Sequence, residues 1–159
     1  MPGKIIIYTD GAARGNPGPG GYGVVLMSGK HRKELSDGFR ETTNNRMELL
    51  AVIIGLEALK NEGSSVTVIT DSKYVSDAVS KSWVFEWERK GFKKKKNPDL
   101  WRRFLQIYRK HKVIFKWVEG HSGNPGNERC DALAVEASHM PDLKIDQEYE
   151  ALSEDNSLF

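Results

Sequence analysis

Apolar positions along this chain come in short β-branched runs alternating with longer stretches at helical spacing, the pattern of an α/β domain. The first run, Ile5-Ile6-Ile7-Tyr8, suits a buried central strand and ends at Thr9-Asp10-Gly11. A turn-rich loop from Ala12 to Gly23 follows, in which Gly18, Gly20 and Gly23 match a dinucleotide-binding fingerprint by spacing. That fingerprint should open a helix, whereas Val24-Val25-Leu26-Met27 reads as a second strand, so no nicotinamide or flavin cofactor is expected. A third strand runs from Lys30 to Phe39, reached through a tight turn at Ser28-Gly29. Thr42 to Asn45 supply capping chemistry for a helix over Met47 to Leu59. Val66 to Thr70 forms another strand, ending at Asp71-Ser72, and Tyr74, Val75, Ala78 and Val79 mark a short helix. Trp83 and Trp87 stand at i and i+4 of the next helix, and Pro98-Asp99 opens one that carries Leu100, Trp101, Phe104, Leu105 and Tyr108. Val113 to Val118 is the last strand. A Gly-rich loop from Gly120 then leads to Asn127, the expected N-cap of a final helix with Cys130, Leu133, Ala134 and Ala137 inward.

At 159 residues the chain is long enough for one domain with its own core. The single cysteine, Cys130, excludes an internal disulfide, no apolar run reaches membrane-spanning length, and the N-terminus lacks a signal-peptide pattern. The expectation is a soluble cytoplasmic protein, taken as a monomer. Its net charge of +2 is unevenly spread, since residues 141 to 159 carry six acids against the one base Lys144, a net −5 that leaves +7 for the rest. A basic body suits a polyanionic partner. Residues 142 to 159 are expected to be a solvated, flexible acidic tail beyond a domain of residues 1 to 141.

Candidate chemistry sits at the strand ends, where open α/β sheets bind ligands. Asp10 and Asp71 each close a β-branched run as Thr-Asp-small, and parallel adjacent strands would bring the two carboxylates together. Unpaired carboxylates repel at close range, so the simplest reason for such a pair is a divalent cation. Glu48 is the one charge between Met47 and Leu56, costly to bury unless something positive meets it, though a helix N-terminus in contact with water would also favour it. Asp131, expected in the first turn of the last helix, fits a capping role as well as a site, and His121 lies in a loop. Between Trp83 and Lys96, aromatics are interleaved with cations, including Lys93, Lys94, Lys95 and Lys96. That combination suits nucleic acid, with cations on phosphates and rings on sugars or bases, although some rings belong in a core.

Taken together, Thr9-Asp10-Gly11, the Asn16 to Gly23 loop, Thr43-Asn44-Asn45-Arg46-Met47-Glu48-Leu49, Thr70-Asp71-Ser72 and Gly120-His121 with Glu128, Cys130 and Asp131 resemble bacterial ribonuclease H of type 1. The resemblance covers about residues 4 to 140. It implies a ribonuclease H-like fold, a five-stranded mixed sheet flanked by helices, and Mg²⁺-dependent endonucleolytic cleavage of the RNA strand in RNA/DNA hybrids. Carried over by position, Asp10, Glu48, Asp71 and Asp131 match metal-binding carboxylates and His121 a mobile histidine. Asn16, Asn44 and Asn45 match readers of the hybrid's minor groove, Thr43 and Asn97 holders of a DNA-strand phosphate, and Trp83, Trp87 and Trp101 an aromatic DNA-strand channel. Phe92 stands where relatives have tryptophan, Lys73 where they have glutamine, and the basic segment after Gly91 is shorter. These departures bear on affinity and sequence preference rather than on the reaction.

The residues suit that chemistry on their own terms. Protein carboxylates alone would repel a phosphodiester, and two Mg²⁺ ions ~3.5–4 Å apart remove the repulsion, one activating water and one stabilising the leaving oxygen. A set of hard oxygen ligands favours Mg²⁺, or Mn²⁺ as a substitute, over zinc. Asparagine amides can both donate to and accept from a 2′-hydroxyl, which is what choosing the RNA strand requires. Two rivals are a non-catalytic hybrid-binding module, which would lack a carboxylate, and a DNA-junction nuclease, disfavoured by Asn44-Asn45 and the Trp-Lys segment.

Overall fold

The computed structural model describes residues 4–157. β1 (Ile5–Ala13), β2 (Gly18–Ser28) and β3 (His31–Thr42) form an antiparallel meander. β4 (Ser65–Thr70) and β5 (Lys112–Trp117) extend it in parallel from β1, so the five-stranded order is β3-β2-β1-β4-β5. β1 is central, as its isoleucine run implies. Successive side chains point to opposite faces, and Ile7 and Tyr8 accordingly enter different cores, so helices must cover both sides.

On the Ile7 face, α1 (Asn44–Glu57) and α4 (Pro98–Tyr108) bury Met47, Ile53, Leu56, Trp101 and Phe104 in one large core. α2 (Lys73–Ser80) and α3 (Trp83–Arg89) add Val75 and Val84 to it. On the other face, α5 (Pro125–Ser138) packs Cys130 and Leu133 against Val25 and Tyr8. Both covering helices approach the sheet where only glycine fits. A Cβ on Gly11 would lie 2.4 Å from the Glu48 backbone nitrogen, and one on Gly23 would lie 2.2 Å from the Cys130 carbonyl oxygen. The segment from Gly18 to Gly23 is strand, not the loop its turn-rich composition predicts: at Gly21 and Gly23 glycine makes room for α5 rather than for a turn.

Two further expectations shift. Asn124, not Asn127, caps α5, its Oδ1 accepting the Asn127 N–H at 3.0 Å, with Pro125 opening the helix. Thr43 caps α1, its Oγ1 accepting the Arg46 N–H at 3.2 Å, so that helix starts three residues earlier than its apolar run.

The segment after Met140 differs most from the solvated tail expected. Arg40 N–H donates to Lys144 O and Lys144 N–H to Gly38 O, both at 2.9 Å, bridging the segment to β3. Lys144 pairs with Asp37, and Arg40 grips Glu150 of α6 (Gln147–Ser157) with two hydrogen bonds of 2.9 and 2.7 Å. Asp146 is buried against Arg46. The side-chain anchors are ionic and the others are backbone hydrogen bonds, which is why a reading based on apolar periodicity passes over them. Side chains of Glu154 and Asp155, also counted in the tail, lie outside the described residues. Among the described residues no helix is long and apolar enough to cross a membrane.

Candidate active site

β1 and β4 run in parallel with Tyr8 level with Ile69, which sets Asp10 and Asp71 side by side beyond that pair. The close approach of α1 at Gly11 brings Glu48 onto them. One oxygen from each of Asp10, Glu48 and Asp71 lies within 4.8 Å of the others. The Gly11 N–H donates to both Asp10 Oδ1 (2.9 Å) and Glu48 Oε1 (2.5 Å). Glu48 Oε2 is buried and has no hydrogen-bond partner. Glu48, whose apolar setting in the sequence called for something positive, is thus a carboxylate that protein donors leave half satisfied.

Asp131 and His121 line the same cavity of about 450 Å³, with Lys73, Asn44 and Asn45. Asp131 stands outside the tight trio and, because Asn124 is the cap, falls in the second turn of α5 rather than the first. His121 holds a left-handed backbone at φ 57°, uncommon for a residue with a side chain, in the loop after β5.

Crowding perturbs the carboxyls. Burial pushes Asp10 up to about 7; repulsion from Asp71 and Asp131 adds to this, while pairing with Glu48 and the Gly11 N–H work against it. Glu48 is pushed well above the carboxylate range, first by burial, then by pairing with Asp10 and by repulsion from Asp10 and Asp71. An orphaned buried oxygen within a set of hard oxygen donors fits a hard divalent metal ion better than any protein partner present.

The residues matched to nucleic-acid contacts lie mostly beside this pocket. Asn16 Oδ1 accepts the Asn44 N–H at 3.1 Å, and Asn44 Oδ1 accepts the Ala13 N–H at 2.5 Å, tying the β1–β2 turn to the start of α1. A second cavity of about 560 Å³ contains Asn16, Thr43, Asn45, Lys95, Lys96 and Asn97, and Asn45 is common to both cavities. Trp83 is 45% exposed, the Lys95 ammonium lies 5.0 Å over the Trp87 ring, and Lys93, Lys94 and Lys96 are exposed. Trp101 is a correction. It is fully buried, packing edge-on against Trp87 and donating its Nε1–H to Tyr74 Oη at 2.9 Å, so it supports Trp87 from beneath and offers no surface to a strand.

Three residues of this surface were not among the site residues expected from the sequence. Tyr74 Oη accepts from Trp101 and, at 3.1 Å, from Asn97 Nδ2. Arg46, 2% exposed, donates to Asp99 (3.0 and 2.8 Å), Asp146 (2.7 and 2.8 Å) and Asn97 Oδ1 (3.2 Å). A cation abutting the apolar run of α1 was a usable signal for Arg46. Asp146 had none, being one acid among several in an acidic segment.

The RNase H family model matches residues 2–139. This chain belongs to the RNase H family. It is 56% identical over 148 residues to a ribonuclease H of Desulforamulus reducens, covering 90% of this chain and 92% of that protein. Over 151 residues it is 56% identical to a ribonuclease H of Syntrophus aciditrophicus, covering 92% and 87%. Among solved structures it resembles RNase H1 of Halobacterium salinarum, at 31% identity and TM-score 0.65, covering 85% of this chain and 97% of the other. It also resembles LC11-RNase H1 in complex with an RNA/DNA hybrid, at 33% identity and TM-score 0.60, covering 84% and 95%. The five-stranded mixed sheet and flanking helices are those the family resemblance implies, and the carboxylate cluster fits its divalent-metal chemistry.

Proposed function

We infer that this chain hydrolyses the RNA strand of RNA/DNA hybrids endonucleolytically, with Mg²⁺, or Mn²⁺ as a substitute, held by Asp10, Glu48, Asp71 and Asp131. The observation that carries this reading is the trio of Asp10, Glu48 and Asp71 within 4.8 Å, containing a buried Glu48 oxygen without a protein partner. Family membership supports it, as does the likeness to a relative solved with a hybrid. When bound, the metal would activate the attacking water and stabilise the leaving oxygen against the charge of the phosphate.

The chain's own residues do the rest. Asn16, Asn44 and Asn45 offer amides to the minor groove, where 2′-hydroxyls distinguish RNA from DNA. Thr43 and Asn97 hold a DNA-strand phosphate, and Trp83 and Trp87 with Lys93 to Lys96 guide that strand. His121, exposed beside Asp131, moves a proton or assists product release. The protein is taken as a cytoplasmic monomer, in keeping with a lone cysteine that is fully buried; sedimentation checks the monomer.

Incubation with a labelled RNA/DNA hybrid, with and without Mg²⁺, beside double-stranded RNA and DNA controls, tests the reading. Mg²⁺-dependent cuts confined to the RNA of the hybrid are expected, and Asp10→Asn or Asp71→Asn should remove them while leaving hybrid binding largely intact. Hybrid binding without any cleavage would favour the binding-module alternative, and cleavage of DNA junctions instead would favour the other.

A further inference from the structure

We infer that the C-terminal helix supplies a nucleotide contact: Tyr149 is the wall against which a sugar and base of the DNA strand pack, and Asp146 positions it there. The inference rests on the hybrid-cleaving reading above and extends the binding surface past residue 139, where the family match ends.

The 560 Å³ cavity is chemically divided. Lys95, Lys96, Asn97 and Thr43 offer cations and hydrogen-bond donors, whereas Tyr149 and Leu152 of α6 offer an aromatic ring and an aliphatic side chain. A nucleotide has the same two halves, a phosphate that suits the first group and a flat ring that suits the second. Tyr149 is half-buried and Leu152 is 50% exposed, so this apolar surface is open. Asn45 lines both this cavity and the carboxylate pocket, so a hybrid seated at the carboxylates lies beside the groove.

α6 is acidic, and an acidic helix beside a phosphate path would ordinarily repel it. Here Glu150 is paired with Arg40, and Asp146 and Asp99 with Arg46, so these three acids are compensated, while Glu41 also acts on the Tyr149 hydroxyl. Arg46 also lies 5.9 Å from the centroid of the Tyr149 ring. Asp146, held by Arg46 and by the Thr42 hydroxyl at 2.8 Å, thus ties the start of α6 to the two elements that carry Thr43 and Asn97. Both walls of the cavity are registered through one buried cation.

The test is steady-state cleavage in Mg²⁺ of hybrids whose DNA strand is shortened one nucleotide at a time, using wild type, Tyr149→Ala and Tyr149→Phe. For wild type, KM should rise in one step of roughly fivefold or more when the nucleotide reaching the groove is removed, a size expected for removing one base–aromatic stack. Tyr149→Ala should show the raised KM on the longest substrate and no step, with kcat unchanged, and Tyr149→Phe should behave as wild type. Shortening the RNA strand should produce no step that depends on Tyr149. Asp146→Asn, assayed well below its own melting transition, should blunt the DNA-strand step. A wild-type-sized step in Tyr149→Ala, or a loss equal on every substrate, would overturn the contact; a full step in Asp146→Asn would overturn its positioning role. Failure of wild type to cleave any hybrid would overturn the underlying reading as well, and is distinguishable because it appears before any variant is compared.

Discussion

Arg46 and Asp146 are 100 residues apart in the chain and share two hydrogen bonds, Nε to Oδ2 at 2.7 Å and Nη2 to Oδ1 at 2.8 Å. Removing one partner of a buried ion pair leaves a charge uncompensated, a loss that generally exceeds the net worth of the pair. Asp146→Ala is expected to destabilise the protein by about 2–3 kcal/mol, below the ~3–5 of a fully orphaned charge because Asp99 still meets the guanidinium. Denaturant unfolding measures it, and a change under ~0.5 kcal/mol would show the pair to be energetically idle. Deletion of residues 142 to 159 should likewise lower the melting temperature, against the expectation of a solvated, flexible tail.

Asp10 is buried among acids, and its hydrogen bonds do not offset the cost of ionising there. Asp10→Asn, measured in EDTA near neutral pH, is expected to be more stable than wild type by up to about 4 kcal/mol, since Asp10 is raised from 3.8 to about 7 and each unit corresponds to about 1.4 kcal/mol. Millimolar Mg²⁺ should narrow the gap by binding wild type preferentially. If the variant melts below wild type in EDTA, Asp10 has a stabilising protein partner and the frustrated metal site is wrong.

The same cluster sets a pH profile. Asp10 is raised from 3.8 to about 7, so between those values the folded state binds more protons than the unfolded state. The Asp10 contribution to stability in EDTA then falls as pH rises: it is fully present below about 3.8 and lost through about 7. Glu48, displaced in the same direction, adds to the slope. In a pH series of melting curves the stability of Asp10→Asn relative to wild type should increase as pH rises from about 3.8 to about 7, and a constant difference would contradict the shift.

His121 lies exposed in its loop, so its replacement should leave the fold intact. If it transfers a proton, His121→Ala should lower kcat by ~10²-fold or more at saturating substrate. A smaller drop confined to multiple turnovers would point to product release. An unchanged rate in both single and multiple turnovers removes His121 from the mechanism.

Lys93 to Lys96 are exposed cations, and Lys95 is further oriented over Trp87. Replacing all four with alanine should weaken hybrid binding and flatten its dependence on salt, by roughly 0.9 in log–log slope for each phosphate no longer neutralised, taking the B-form coefficient as a guide. An unaltered slope would mean the lysines are only solvated.

The sequence by itself determined the features that local pattern and motif encode. β-branched runs located β1, β4 and β5, the capping residues Thr42 to Asn45 marked the neighbourhood of the start of α1, and a carboxylate at each of two strand ends was legible as a site because charge is costly where the surrounding run is apolar. The apolar run around it singled out Glu48, and the motifs added its role, that of Asp131 and the family. Tertiary structure decided the rest. Only the parallel register of β1 and β4 sets Asp10 level with Asp71, and only the close approach of α1 at Gly11 brings Glu48 to both. Glycines read as loop proved to be strand, since whether a missing Cβ serves a turn or a packed helix depends on what lies opposite. Trp101 and Trp87 look alike in sequence, yet one is core and the other partly open, because helix facing is set by neighbours. Asp146 was invisible among the acids of its segment: an ion pair leaves no periodic trace, and its partner Arg46 meets it only once the chain has folded.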